Sequence, residues 1–178
     1  MTIFKTTNFL DATSSIQTQI NNKQNLDVLI TLNVNVSSVS ITPVDTGLNV
    51  NLVAGKKYKL SFFGNHQTVA LTTGVRIGFI APTGTYNVIG TLKGIVNLGT
   101  ANTELHTSIH SINTSSATAG SFILTTSVGA ANTPSYIGGD LYIECITSGQ
   151  IRLQIATEVN ASSAQLNAGS TIILKQLN

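Results

Sequence analysis

"LYIECITSGQIRLQIATEVN", Leu141 to Asn160, packs two glutamates, an arginine and the only cysteine of the chain into twenty residues. Apolar and polar residues alternate on both sides of the Thr147-Ser148-Gly149 turn signal, the period of a half-buried strand. Taking residues 147–149 as a three-residue hairpin loop, with Gly149 in the left-handed position that closes such loops, sets a register. Cys145 then faces Ile151, Ile143 faces Leu153 and Leu141 faces Ile155, all on one apolar side. Glu144 faces Arg152 and Tyr142 faces Gln154 on the other. A two-residue loop would instead set Glu144 among Ile151, Leu153 and Ile155, burying a charge at a cost of several kcal/mol.

The three-residue register predicts a cross-strand ion pair, Glu144 with Arg152, contributing roughly 0.2–1 kcal/mol if exposed. Tyr142, Glu144, Arg152 and Gln154 together make a polar face of the residue types that suit a subunit interface. Glu158 continues that face without an assigned partner. Cys145 reads as a small core residue, since a nucleophilic thiol needs a base close by and the nearest histidine in sequence is His110.

Working outward, the period of two persists. "LDVLITLNVNV" (26–36) aligns Leu26, Val28, Ile30, Leu32, Val34 and Val36 and reads as one long strand of about 35 Å. "YKLSFF" aligns Tyr58, Leu60 and Phe62; "VRIGFIA" aligns Val75, Ile77, Phe79 and Ala81. Residues 85–96 and 121–128 are further strand candidates, and "STIILKQL" closes the chain. Turn signals fall between these runs in "PVDTG", "VAGKK", "APTG" and "NAG". Many short strands without a convincing amphipathic helix predict an all-β fold, an antiparallel β-sandwich or jelly roll, over residues 26–178. Residues 97–120 read as long loops around one short strand.

Residues 1–25 differ. Their apolar side chains are too sparse for a core, and the functional expectation is an extended attachment arm. It would order on another protein, with Phe4, Phe9, Leu10, Ile16 and Ile20 as apolar positions.

Composition narrows the function classes. Only 9% of residues are charged, against roughly 25% in an ordinary domain. Ser, Thr and Asn supply about a third of the chain, yet mean hydropathy is +0.25, which is not a disordered composition. The nine basic residues are scattered apart from "KKYK" (56–59), so the basic stripe of a nucleic-acid binder is missing. No run approaches the roughly 20 apolar residues of a membrane helix, and "MTIFKTTNFLDATSS" lacks the apolar segment of a signal peptide. One cysteine excludes an internal disulfide framework.

Catalytic and cofactor constellations are not expected. His106 and His110, with Glu104 nearby, have a spacing that suits weak metal binding, but the glutamate of a zinc-protease motif is absent. The plainer expectation is loop histidines, and His66 in "GNHQT" is likewise expected in a loop. The seven acids include no pair that the sequence brings together for glycoside hydrolysis.

The run "GQIRLQIATEVNASSAQLNAGSTIILKQL" (149–177), with "LVAGKKYKLSFFG" (52–64) and "GVRIGFIAPTGTY" (74–86), resembles a pattern of tailed-bacteriophage virion proteins. The resemblance covers roughly residues 50–178 and rests on strand pattern and turn glycines. Composition and length are most similar to head-fibre and capsid decoration proteins, those of crAss-like phages included. The resemblance implies a jelly-roll domain, a homotrimer, and an N-terminal segment bound to other virion structural proteins of the capsid, on the virion surface. The chain departs from long fibres in having no coiled-coil or collagen-like shaft. The alternative expectation is a module that binds a host surface glycan through loops 65–74, 97–120 and 129–139, with Tyr86 or Tyr136 as the stacking residue.

Overall fold

The computed structural model describes residues 27–80, 86–98, 101–109, 121–124 and 131–177. Its strands are β1 (Val28–Thr31), β2 (Val36–Ser38), β3 (Val44–Leu52), β4 (Lys56–Thr68), β5 (Val75–Ile80) and β6 (Tyr86–Leu98). They continue as β7 (Ala101–Ile109), β8 (Ser121–Leu124), β9 (Ser135–Cys145), β10 (Gly149–Thr157), β11 (Ala164–Leu166) and β12 (Thr171–Gln176). All pairings are antiparallel. An eight-stranded sheet runs β1-β12-β4-β9-β6-β7, with β11 joined to β2 and β4, and a four-stranded sheet runs β3-β10-β5-β8. This is the expected antiparallel sandwich.

The pairings nest. β6 pairs β7, β5 pairs β8, β4 pairs β9, β3 pairs β10 and β1 pairs β12. The chain is thus one long ribbon, folded back on itself at the β6–β7 end and wrapped so that successive pairs from β6–β7 to β2–β11 alternate between the two sheets, with β1–β12 staying in the larger one. That wrapping is the jelly roll.

It also corrects the hairpin expected at residues 141–160. β9 lies between β4 and β6 in the larger sheet, whereas β10 lies between β3 and β5 in the smaller one. Leu141, Ile143 and Cys145 do share the core with Ile151, Leu153 and Ile155, all buried, but across the sandwich and not side by side. Gly149 does not close a left-handed loop; it is a β10 residue opposite Leu52.

The expected long strand at 26–36 is broken in two. β1 pairs Thr171–Leu174 and β2 pairs Ala164–Leu166, and between those partners the chain loops out through Asn167–Ser170, with Gly169 at φ +85°. The edge strand follows its partner. The Leu32 N–H donates to the Ser170 carbonyl (2.8 Å), Gly169 N–H to the Leu32 carbonyl (2.8 Å) and Ala168 N–H to Asn35 Oδ1 (2.8 Å). Val34, expected inside, is 68% exposed on that loop, and Leu26 lies outside the described residues. The stretch 97–120 holds a strand of nine residues, β7, longer than expected because it completes the ladder of β6 from Leu98–Ala101 to Gly90–Ile109.

The core is the apolar line of each strand seen end to end. On β4 it comprises Tyr58, Leu60 and Phe62, and the ring of Phe62 meets Phe79 of the opposite sheet edge-on, with centroids 6.1 Å apart. The β6–β9 seam is unusually close. A Cβ on Gly139 would run into the Thr91 carbonyl and, at 2.8 Å, Leu92 Cα. We therefore expect Gly139→Ala to destabilise the domain by about 1–3 kcal/mol, the range for overpacking, read as a lower urea midpoint; an unchanged midpoint would mean that the seam can open freely.

Candidate functional site

The residues expected at a subunit interface divide between the two outer faces of the sandwich. Tyr142 (41% exposed) and Glu144 lie on the larger sheet, Arg152 and Gln154 on the smaller. The Glu144–Arg152 ion pair is therefore corrected. Glu144 faces Lys57 of β4 and Asn87 of β6, with Lys57 Nζ 3.5 Å from Oε1 and Asn87 Nδ2 donating to Oε2 at 3.1 Å. The Asn87 hydrogen bond, and then the Lys57 charge, hold this carboxyl below its usual range.

Arg152 takes Asp45 instead. Between Arg152 and Gln154 the β3–β10 register shifts, and β3 bulges through Gly47 at φ +88°. The bulge turns Asp45 so that Arg152 Nη1 reaches Oδ2 and Gln154 Nε2 reaches Oδ1, each at 2.6 Å. Glu158, left without a partner by the sequence, accepts the Gly74 N–H through Oε2 at 3.0 Å.

His66 is the second correction. It is not in a loop but inside β4, on the line of Tyr58, Leu60 and Phe62, opposite Leu166 on one side and Ser135 on the other. It is fully buried, and among the described residues neither ring nitrogen has a hydrogen-bond partner. Burial pushes its pKa down to about 4 from the ordinary 6.5. His106 is a β7 residue opposite Lys93, and Glu104 lies opposite Ile95; His110 lies outside the described residues, as do Phe4, Phe9, Leu10, Ile16 and Ile20 of the arm.

The outer face of the larger sheet carries a hollow whose lining combines aromatic, acidic, basic and hydroxyl groups. Its volume is about 170 Å³ and its walls are Phe63, Thr91, Lys93, Tyr136, Gly139 and Asp140. Strand register explains it. Phe63 of β4 and Lys93 of β6 flank Gly138 of β9, so the middle of that row has no side chain. The Tyr136 hydroxyl lies where a Cβ of Gly138 would be. Phe63 and Tyr136 remain 48% and 38% exposed. In the next row Asp140 stands between Ser61 and Thr91. Its Oδ1 accepts the Ser61 hydroxyl at 2.5 Å and lies 3.3 Å from Lys59 Nζ. Ser61, then Lys59 and Lys93, hold this carboxyl below its usual range, outweighing partial burial. Tyr136 was singled out by sequence; Phe63, Thr91, Lys93 and Asp140 were not, although "IGGD" within a strand was a signal of a bare patch.

His66 gives a pH dependence whose sign is fixed. Between pH 6.5 and about 4 the unfolded chain takes up a proton that the folded chain refuses, so stability is whole above 6.5 and falls as pH drops through this window. The full loss is about 3 kcal/mol. Asp140 and Glu144 act at lower pH, because their folded-state pKa values are depressed. In urea titrations His66→Gln is expected to flatten the dependence between pH 6.5 and 4, whatever its stability at pH 7; an unchanged slope would refute the assignment.

No protein-family model and no curated protein matches the sequence. Among solved structures, the infectious bursal disease virus VP2 subviral particle aligns with 84% of this chain and 39% of its own, at 10% identity and a TM-score of 0.24. The structure of infectious bursal disease virus Gx strain aligns with 85% of this chain and 36% of its own, at 10% identity and a TM-score of 0.25. The chain therefore spans less than two-fifths of the length of these structures. Superpositions this loose assign no family, and the fold stands on its own strand pairing.

Proposed function

We propose that this chain is a structural virion protein: a trimeric head fibre or capsid decoration protein, displayed on the particle surface and not an enzyme. Residues 1–25 attach it to the capsid in this reading, with Phe4, Phe9, Leu10, Ile16 and Ile20 as anchors. The resemblance of residues 50–178 to tailed-phage virion proteins supports it.

The observation that carries it is the loop end of the sandwich. Val39 (60% exposed), Ile41 (48%), Val69 (50%), Leu71 (53%) and Val159 (46%) project from three loops. Those loops are tied together. The Ala161 N–H donates to the Val39 carbonyl (2.9 Å), Thr157 N–H to Ser40 (3.0 Å) and Val69 N–H to Ser163 (3.2 Å), while the Thr73 and Ser162 hydroxyls share a hydrogen bond of 2.7 Å. The charges beside them are engaged locally, Arg76 with the Ile41 carbonyl (3.2 Å) and Glu158 with Gly74. Exposed aliphatic side chains gathered at one end of a charge-poor domain favour a protein contact. A frame already braced loses little entropy when it docks. We place the contact between copies of the chain here. Tyr142 with Glu144, or Arg152 with Gln154, serves any further contact, but one flat contact does not use both pairs.

Analytical ultracentrifugation of the full chain is expected to give a trimer, and Leu71→Asp with Val159→Asp a folded monomer. A monomeric parent chain would defeat the trimer. Removal of residues 1–25 is expected to leave a folded domain that no longer binds particles; unchanged binding would remove the arm's role. Absence of the chain from purified virions by mass spectrometry would end the virion reading itself.

A further inference from the structure

We infer that the hollow between Phe63, Tyr136 and Asp140 binds one pyranose ring of a glycan. Three features of the site point to that chemistry. Phe63 and Tyr136, each partly exposed, offer apolar ring surface to the C–H face of a sugar. Thr91, Lys93 and Asp140 bring a hydroxyl, a donor and an ionised acceptor to the same hollow, so hydroxyl groups on both sides of a sugar find partners. Lys59 already pairs with Asp140, so that acid and that amine offset each other, and Lys93 adds one further donor at the rim. The volume of about 170 Å³ is of the size of a single ring.

The framework is built in advance. Gly138 leaves its place in the outer row to the Tyr136 hydroxyl, and Ser61 and Lys59 fix the Asp140 carboxylate. Little ordering is then required on binding. The ligand site lies on the face of the larger sheet, away from loops 39–41, 69–73 and 157–163; it keeps Tyr136 from the glycan site that the sequence suggested, but its other walls are strand residues. It is also independent of the assembly reading: the Leu71→Asp, Val159→Asp monomer should bind as the parent does.

The test is an amide-resolved NMR titration of the full chain with the methyl glycosides of glucose, galactose, mannose and N-acetylglucosamine. At least one sugar is expected to move the amides of Phe63, Thr91, Lys93 and residues 136–140 in a saturable way. Phe63→Ala and Tyr136→Ala should each weaken that sugar by about tenfold or more, while Tyr136→Phe keeps most of the affinity. Asp140→Asn should weaken it less. Tyr142→Ala, an exposed aromatic on the same strand outside the hollow, should leave it unchanged. The inference is overturned if none of the four sugars moves these amides. It is equally overturned if Phe63→Ala, with its spectrum otherwise intact, binds as tightly as the parent.

Discussion

The nested pairing of the ribbon is the constraint on which everything else depends. Its spine is the β4–β9 ladder, unbroken from Lys56–Cys145 to His66–Ser135. Because that ladder is antiparallel and in register for so long, the outer face of one strand is locked to the outer face of the next, row by row. Glu144 therefore meets Lys57, Asp140 meets Ser61, and Gly138 meets Phe63. The same locking puts Tyr58, Leu60, Phe62 and His66 on a common inner line with Ile137, Leu141, Ile143 and Cys145. Polar chemistry on one side and the buried imidazole on the other are consequences of a single register.

Side-chain faces were legible in the sequence, because the period of a strand is two and burial follows it wherever the strand goes. Leu141, Ile143, Cys145, Ile151, Leu153 and Ile155 were assigned to the core, and all are buried. Partners were not legible. A turn signal such as Thr147-Ser148-Gly149 says that the chain reverses, not whether it stays in one sheet or crosses to another. Here it crosses, so β9 and β10, neighbours in sequence, are strangers in the ladder. Arg152 found Asp45, more than a hundred residues away, through a bulge that no local pattern announces.

The misplacement of His66 has a similar cause. Gly64, Asn65, His66 and Gln67 look like a loop by composition, yet burial still alternates through them as far as Thr68. The ladder to β9 and β11 overrode local preference. The hollow was partly readable, in Tyr136 and in the paired glycines beside it. Its other walls come from β4 and β6, which meet at that point only because β9 lies between them. Sequence spacing carries no trace of that meeting.

The placement of β12 has a further consequence for how the protein is made. Thr171–Gln176 is not an edge; it is inserted between β1 and β4, and the Thr31 and Thr171 hydroxyls meet across 140 residues of sequence. During synthesis, β1 lacks its neighbour and β4 keeps an open flank until this strand emerges. Both of its ladders close loops of more than a hundred residues, contacts that lower the folding rate. A chain cut before residue 171 leaves β1 without a sheet to join, so loss of one strand detaches two.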